Sequence, residues 1–269
     1  MARTLQPLSY ALCAALLLVL YLSIPWPGLP PPPAPPLPPS LVCSHQGRLS
    51  PAPQHGPTTS QALFSALAAL HARGIACFDL DLSPLPGGGS AVGHPAALAA
   101  AGAGGAADGP QLLAHLASAL PGARLTLELK APLGEDAALV AALAEAARRG
   151  GLLPRLALLG LPPGAPLPRG LQRGLAVRDD RDCSLSGLGS DVAVVMPSHA
   201  CWARQPVREA ILQWSAAAAA GAGDSAMAGE VHVWVVDDAA LARSVLGRSE
   251  QLARLRLVSN HVGALLGAA

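Results

Sequence analysis

Ile75-Ala76-Cys77-Phe78-Asp79-Leu80-Asp81-Leu82 is a continuous apolar run interrupted by two carboxylates two residues apart. A short apolar run of this kind reads as a strand buried on both faces, the pattern of a parallel sheet covered by helices. Residues two apart on a strand project to the same side, so Asp79 and Asp81 share a face. Burying such groups is costly unless they are paired, hydrogen-bonded or bound to a cation. With 13% charged residues the chain has few to place, yet other apolar segments carry the same kind of insertion: Ser44-His45-Gln46-Gly47, Gly93-His94-Pro95 and Leu127-Glu128-Leu129-Lys130.

Outward from this run, residues 41–269 alternate between strand-like and helix-like segments. Strands are predicted over Leu41–His45, Ile75–Leu82, Ala91–His94, Leu125–Lys130, Leu156–Leu159, Leu175–Val177, Val192–Met196, Val231–Val236 and Leu255–Val258. Ala/Leu-rich stretches between them predict helices over Ser60–Ala72, Pro110–Leu120, Glu135–Arg149, Gln205–Ala219 and Ala239–Leu246. Repeated βα alternation fits an α/β fold, one (β/α)8 barrel, better than an open sheet. The Ala91–His94 piece is one strand too many for a barrel and is either a hairpin return or a barrel strand. Ala97–Gly109 and Ala217–Gly229 read as Gly/Ala-rich loops. In a barrel, residues at strand C-termini line the catalytic face; His45, Asp79, Asp81, Glu128 and Lys130 all fall at such ends. Carboxylates converging there repel one another unless a cation holds them, and hard oxygen ligands favour Mg2+ or Ca2+ over zinc.

The 269-residue chain is 51% hydrophobic but only 3% aromatic, so its core is built from Ala, Leu and Val. A net charge of +1 without a long basic stripe argues against nucleic acid as a partner. Leu8–Ile24 is uncharged and almost wholly apolar; as a helix it reaches roughly 25 Å at about 1.5 Å per residue, the short end of a membrane span. Arg3 precedes it and no charge follows until Arg48, which places the N-terminus in the cytosol and the rest outside or in a lumen. No small-x-small cleavage site follows, so residues 1–24 read as an uncleaved signal-anchor, with a cleaved signal peptide and a secreted chain as the alternative. Residues 25–40 form a proline-rich stalk expected to be extended polyproline II, and 41–269 the barrel. Of five cysteines, Cys13 lies in the apolar segment. Cys43 and Cys77 each precede a site residue by two positions, so adjacent strands would place both sulfurs one layer below the site, either bridged or as free thiols filling the core.

His45-Gln46-Gly47, then Asp79-Leu80-Asp81 thirteen residues before His94, then Glu128-Leu129-Lys130, resembles the glycerophosphodiester phosphodiesterases. Val231-His232-Val233-Trp234-Val235-Val236 and Leu257-Val258-Ser259-Asn260 are similar to that family's late strands. The resemblance spans residues 41–269 and implies a TIM-type barrel related to the phosphatidylinositol phospholipase C fold. It implies that His45 and His94 are the acid–base pair and that Asp79, Asp81 and Glu128 ligate a divalent cation. Lys130, Gln46 and Trp234 are implied as substrate contacts. Gln46 stands where the family has Arg, Asp79 where it has Glu, and the His94–Glu128 stretch is short.

The expected activity is metal-dependent hydrolysis of a glycerophosphodiester or lysophospholipid-like substrate near a bilayer. The alternatives are a catalytically impaired barrel acting as a membrane-anchored binding protein, and a cyclising, phospholipase-type phosphodiesterase. Arg178-Asp179-Asp180-Arg181-Asp182 reads as a solvated loop of mutual salt bridges, and His199, His232 and His261 as non-catalytic.

Overall fold

The computed structural model describes residues 35–48, 59–101, 104–221, 225–248 and 254–267. The expected anchor and most of the stalk lie outside the described residues; among those described, no helix is long and apolar enough to cross a membrane.

Eight parallel strands close into a barrel: β1 (Val42–His45), β2 (Cys77–Pro84), β4 (Arg124–Leu129), β5 (Leu156–Leu159), β6 (Gln172–Val177), β7 (Val192–Pro197), β8 (Glu230–Val233) and β9 (Leu255–Ser259). Each pairs with its neighbours in the order β1-β9-β8-β7-β6-β5-β4-β2, and β1 pairs with β2 to complete the ring. The remaining strand, β3 (Ser90–Val92), runs antiparallel to β2. This settles the Ala91–His94 ambiguity as a hairpin return.

Strand alternation separates two cores. On β2, Phe78, Leu80 and Leu82 join the large apolar core, together with helix residues such as Leu63, Leu67, Leu112 and Leu143. Cys77 belongs to a smaller cluster with Cys43, Ala157, Val194, Met196 and Val258. Those residues share the face of their strands that carries Asp79, Asp81 and His45, so the small cluster is the barrel interior.

Helix starts follow local chemistry. Thr59 accepts from the Ala62 amide ahead of Ser60–Ala72, Asp108 and Gln111 form a capping box ahead of Gly109–Ala119, and Asp136 and Asp238 cap Ala137–Arg149 and Ala239–Gly247. One expectation is corrected. The segment expected to be a loop from Ala97 begins inside a helix, Pro95–Ala101: a proline at the first turn and the helix propensity of alanine outweigh the glycines further on. The compact unit runs from Pro36. The Leu37 amide donates to the Leu265 carbonyl at 3.0 Å and its side chain packs on the core, so the last stalk residues are part of the barrel unit.

Candidate active site

Parallel register assembles the site. His45 pairs with Asp79 across β1 and β2, and Asp81 with Glu128 across β2 and β4, so each couple lies side by side on the interior face. His45 Nδ1 is 2.7 Å from Asp79 Oδ2, and the other oxygen, Oδ1, accepts from Thr126 Oγ1 at 2.7 Å. Burial alone would raise the Asp79 pKa, but the hydrogen bond and charge of His45 and the Thr126 hydroxyl outweigh it and hold the carboxyl below its usual range. Burial alone would lower the pKa of His45; Asp79, and to a lesser degree the Asp81 charge, reverse that and raise it.

The second couple is knitted by cations. Lys130 Nζ lies 3.0 Å from Asp81 Oδ1 and 2.8 Å from Glu128 Oε2. Burial would lower the Lys130 pKa, but these two carboxylates raise it, so the ammonium stays charged. Arg178 Nη2 donates to Glu128 Oε1. The Arg178 guanidinium carbon sits 5.5 Å from the Trp234 ring centroid, in cation–π range, and Trp234 Nε1 donates to the Met196 carbonyl at 2.9 Å.

These side chains surround a cavity of about 160 Å3 whose lining includes His45, Asp79, Asp81, His94, Glu128, Lys130, Arg178 and Trp234. His94 follows the β3 return, which is tied down by Ser83 Oγ on the Gly93 carbonyl at 2.6 Å and by the Gly93 amide on the Asp81 carbonyl at 2.9 Å. It is exposed at the rim, and its Nδ1 accepts from the Ala96 amide at 3.3 Å.

Gln46 sits elsewhere. Its φ of 55° is in the left-handed region, unusual for a residue with a side chain, and its amide donates to the Asp79 carbonyl at 2.8 Å. The buried side chain donates to Asp81 Oδ2 at 3.0 Å and accepts from Arg48 Nη2 at 2.6 Å, and Arg48 Nη1 in turn donates to Asn260 Oδ1 at 3.4 Å. Gln46 therefore backs Asp81 and lines a smaller adjoining cavity, while the guanidinium expected at its position lies two residues on.

Arg178 is the site residue that sequence reasoning missed. The expected solvated run Arg178–Asp182 divides in the structure. Arg178, immediately after β6, reaches Glu128 and Trp234, whereas Asp182 pairs with Arg204 at 2.6 Å on the surface. Its place one residue past a strand C-terminus was the available signal.

Among the described residues, the trio of His, Cys, Asp or Glu side chains whose ligating atoms gather within 4.8 Å is Cys43, Cys77 and His232; Asp79, Asp81 and Glu128 do not form one. Asp79 is turned to His45 and Thr126. Asp81 and Glu128 fit a hard divalent cation by donor chemistry, and the Lys130 ammonium held between them marks that spot as one stable for positive charge.

A closed eight-stranded barrel with imidazoles, carboxylates and cations lining a cavity at the C-terminal end of its strands defines a TIM-type α/β protein. No protein-family model matches the sequence, and no curated protein does. The fold is similar to the glycerophosphodiester phosphodiesterase of Thermotoga maritima, at 13% identity and TM-score 0.53 over 86% of this chain and 98% of that one. It is similar to a protein of Silicibacter pomeroyi proposed to be a glycerophosphoryl diester phosphodiesterase, at 17% identity and TM-score 0.54 over 86% and 92% of the two chains. A glycerophosphodiester phosphodiesterase of Parabacteroides distasonis shares 13% identity at TM-score 0.51 over 84% and 94%. At these identities the likeness establishes the fold.

Proposed function

We propose that the chain is a divergent glycerophosphodiester phosphodiesterase that hydrolyses a glycerophosphodiester or a related phospholipid-derived phosphodiester. The observation that carries this reading is the His45–Asp79 pair opening onto a cavity that His94, Lys130 and Arg178 also line. The shared barrel of solved structures that bear the activity in their names supports it.

In this reading Asp79 accepts the Nδ1 proton of His45, which leaves Nε2 to protonate the departing alkoxide. The raised pKa of His45, set by Asp79 against the cost of burial, favours the protonated form that an acid requires. His94 is the second imidazole and takes the proton of the attacking hydroxyl. Lys130 and Arg178 offer charged N–H donors to the phosphoryl oxygens, and Trp234 supplies an apolar wall. Asp81 and Glu128 would hold the divalent cation, Mg2+ or Ca2+, which when bound stabilises charge on the phosphoryl oxygens. The apolar segment Leu8–Ile24 would keep the barrel beside a bilayer, on its lumenal or extracellular side.

A second reading, a barrel that binds such head groups without turning them over, is favoured by the way Lys130, Arg178 and Gln46 already occupy the oxygens of Asp81 and Glu128. The test is a phosphodiesterase assay on the full chain with a panel of glycerophosphodiesters and lysophospholipids in Mg2+ or Ca2+. Turnover by the wild type and its loss in His45→Ala is the expected result. Equal rates in the two overturn the proposal, and tight binding without turnover supports the second reading. A cyclic phosphate product assigns the cyclising reaction instead.

A further inference from the structure

One layer beneath the mouth lies a cluster of ligating side chains that the proposed reaction does not use. Cys43 on β1 and Cys77 on β2 are joined by a disulfide between adjacent strands. His232 reaches the same point from β8, beyond the intervening β9, and the ligating atoms of the three lie within 4.8 Å of one another, all buried.

His232 is fully enclosed. Its Nε2 lies 3.0 Å from Glu230 Oε2, and its Nδ1 has no hydrogen-bond partner among the described residues. The other oxygen of Glu230, Oε1, receives Arg124 Nη1 at 2.7 Å and Arg256 Nη2 at 3.3 Å, so every donor around this carboxylate points into it. With Glu230 Oε2 on the Nε2 side of the ring, Nδ1 is the nitrogen left to ligate. A buried polar atom with no partner is destabilising, and this one sits among two sulfurs. A carboxylate on one ring nitrogen, with the other left to ligate, is also the outer-shell arrangement of metal-ligating histidines.

We propose that, once Cys43 and Cys77 are reduced, their two thiolates and His232 Nδ1 bind one Zn2+, so that β1 and β2 stay cross-linked by metal when the disulfide is open. The donor set is two soft sulfurs and an imidazole, which selects zinc over the hard cations suited to the mouth. Two thiolates neutralise the double positive charge, so no net charge enters the apolar shell of Ala157, Val194, Met227 and Val258. The chemistry balances: a phosphine reductant is oxidised to its oxide with oxygen from water, and the disulfide takes two electrons and two protons to become two thiols. The zinc aqua ion then sheds all but one of its waters as two Zn–S bonds and one Zn–N bond form, the remaining water completes the tetrahedron, and both thiol protons are released to solvent. The second disulfide, Cys183–Cys201, has no such third ligand among the described residues and serves as an internal control.

The test uses the full chain, oxidised or reduced with a phosphine, with Co2+ as spectroscopic probe and Zn2+ as competitor. The reduced chain should take up Co2+ with a thiolate-to-cobalt charge-transfer band that Zn2+ removes, and the oxidised chain should not. Cys43→Ser and His232→Gln should abolish the band, Cys183→Ser should keep it, and Glu230→Gln should weaken zinc affinity by about 10–100-fold. A readout on the wild type alone guards against variants that fail to fold: Zn2+ should raise the thermal midpoint more in the reduced than in the oxidised chain. A reduced, folded chain without the band, a band that survives Cys43→Ser, or equal zinc stabilisation in both redox states overturns the proposal.

Discussion

Two histidine–carboxylate pairs stand on the inward face of one barrel, and they differ in what surrounds them. His45 and Asp79, 2.7 Å apart, open onto the mouth, with the imidazole 20% exposed. His232 and Glu230, 3.0 Å apart, are sealed, with the imidazole 0% exposed. In the lower pair the protein itself completes the carboxylate: Glu230 Oε1 also receives Arg124 at 2.7 Å and Arg256 at 3.3 Å. At the mouth, the cavity leaves His45 an accessible ring edge. The same two functional groups thus become a candidate proton-transfer device where a substrate can enter and a structural core where none can.

The sharpest way to break this comparison is to remove each imidazole's role in turn. His45→Ala should lower kcat/KM by about 10²–10⁴-fold, the usual worth of a positioned acid, with a smaller loss of thermal midpoint than Glu230→Ala, as read by steady-state kinetics beside calorimetry. A loss of stability without a loss of rate would place His45 with the lower pair. Glu230→Ala should do the opposite. Stripping a buried network of its carboxylate costs about 3–5 kcal/mol, measured by urea unfolding, while activity per folded molecule is retained.

The lower pair also has a pH signature. The folded pKa of Glu230 is depressed, so its contribution is present above the ordinary carboxylate value and lost as pH falls through the lowered one. Unfolding free energy measured from neutral to acid pH should therefore fall less steeply in Glu230→Gln than in the wild type. At the mouth, Arg178→Ala should raise KM about tenfold or more through loss of a charged donor, with the midpoint nearly unchanged; an unaltered KM would return Arg178 to the solvated loop. The smallest effect is expected from Thr126→Val, which removes one of the hydrogen bonds to Asp79 and should cost about 1 kcal/mol of stability. It should also move the alkaline limb of the rate profile to higher pH, because an Asp79 carboxylate relieved of the Thr126 hydrogen bond is the stronger base and holds the His45 proton more firmly.

Much of the frame was legible in the chain. The apolar run around Asp79 and Asp81 is a barrel strand, and Ser60–Ala72 is a helix with the bounds expected from its sequence. Both are local patterns, set by periodicity and capping. The helix from Pro95 was hidden because glycine-rich composition masked a short alanine run. Arg178 was hidden because its charged neighbours in sequence suggested mutual pairing, whereas its partner Glu128 lies 50 residues away.

The sequence by itself determined the alternation that makes a barrel, the inward face of each site strand and the residue types at the mouth, because side-chain direction along a strand is a backbone property. Only the tertiary structure decided which carboxylate meets which cation. Register between strands sent Asp79 to His45, Asp81 and Glu128 to Lys130, and Cys43 to Cys77. Charges, unlike periodicities, are satisfied by whatever lies nearest in space, and that neighbour is fixed only when the ring of strands closes.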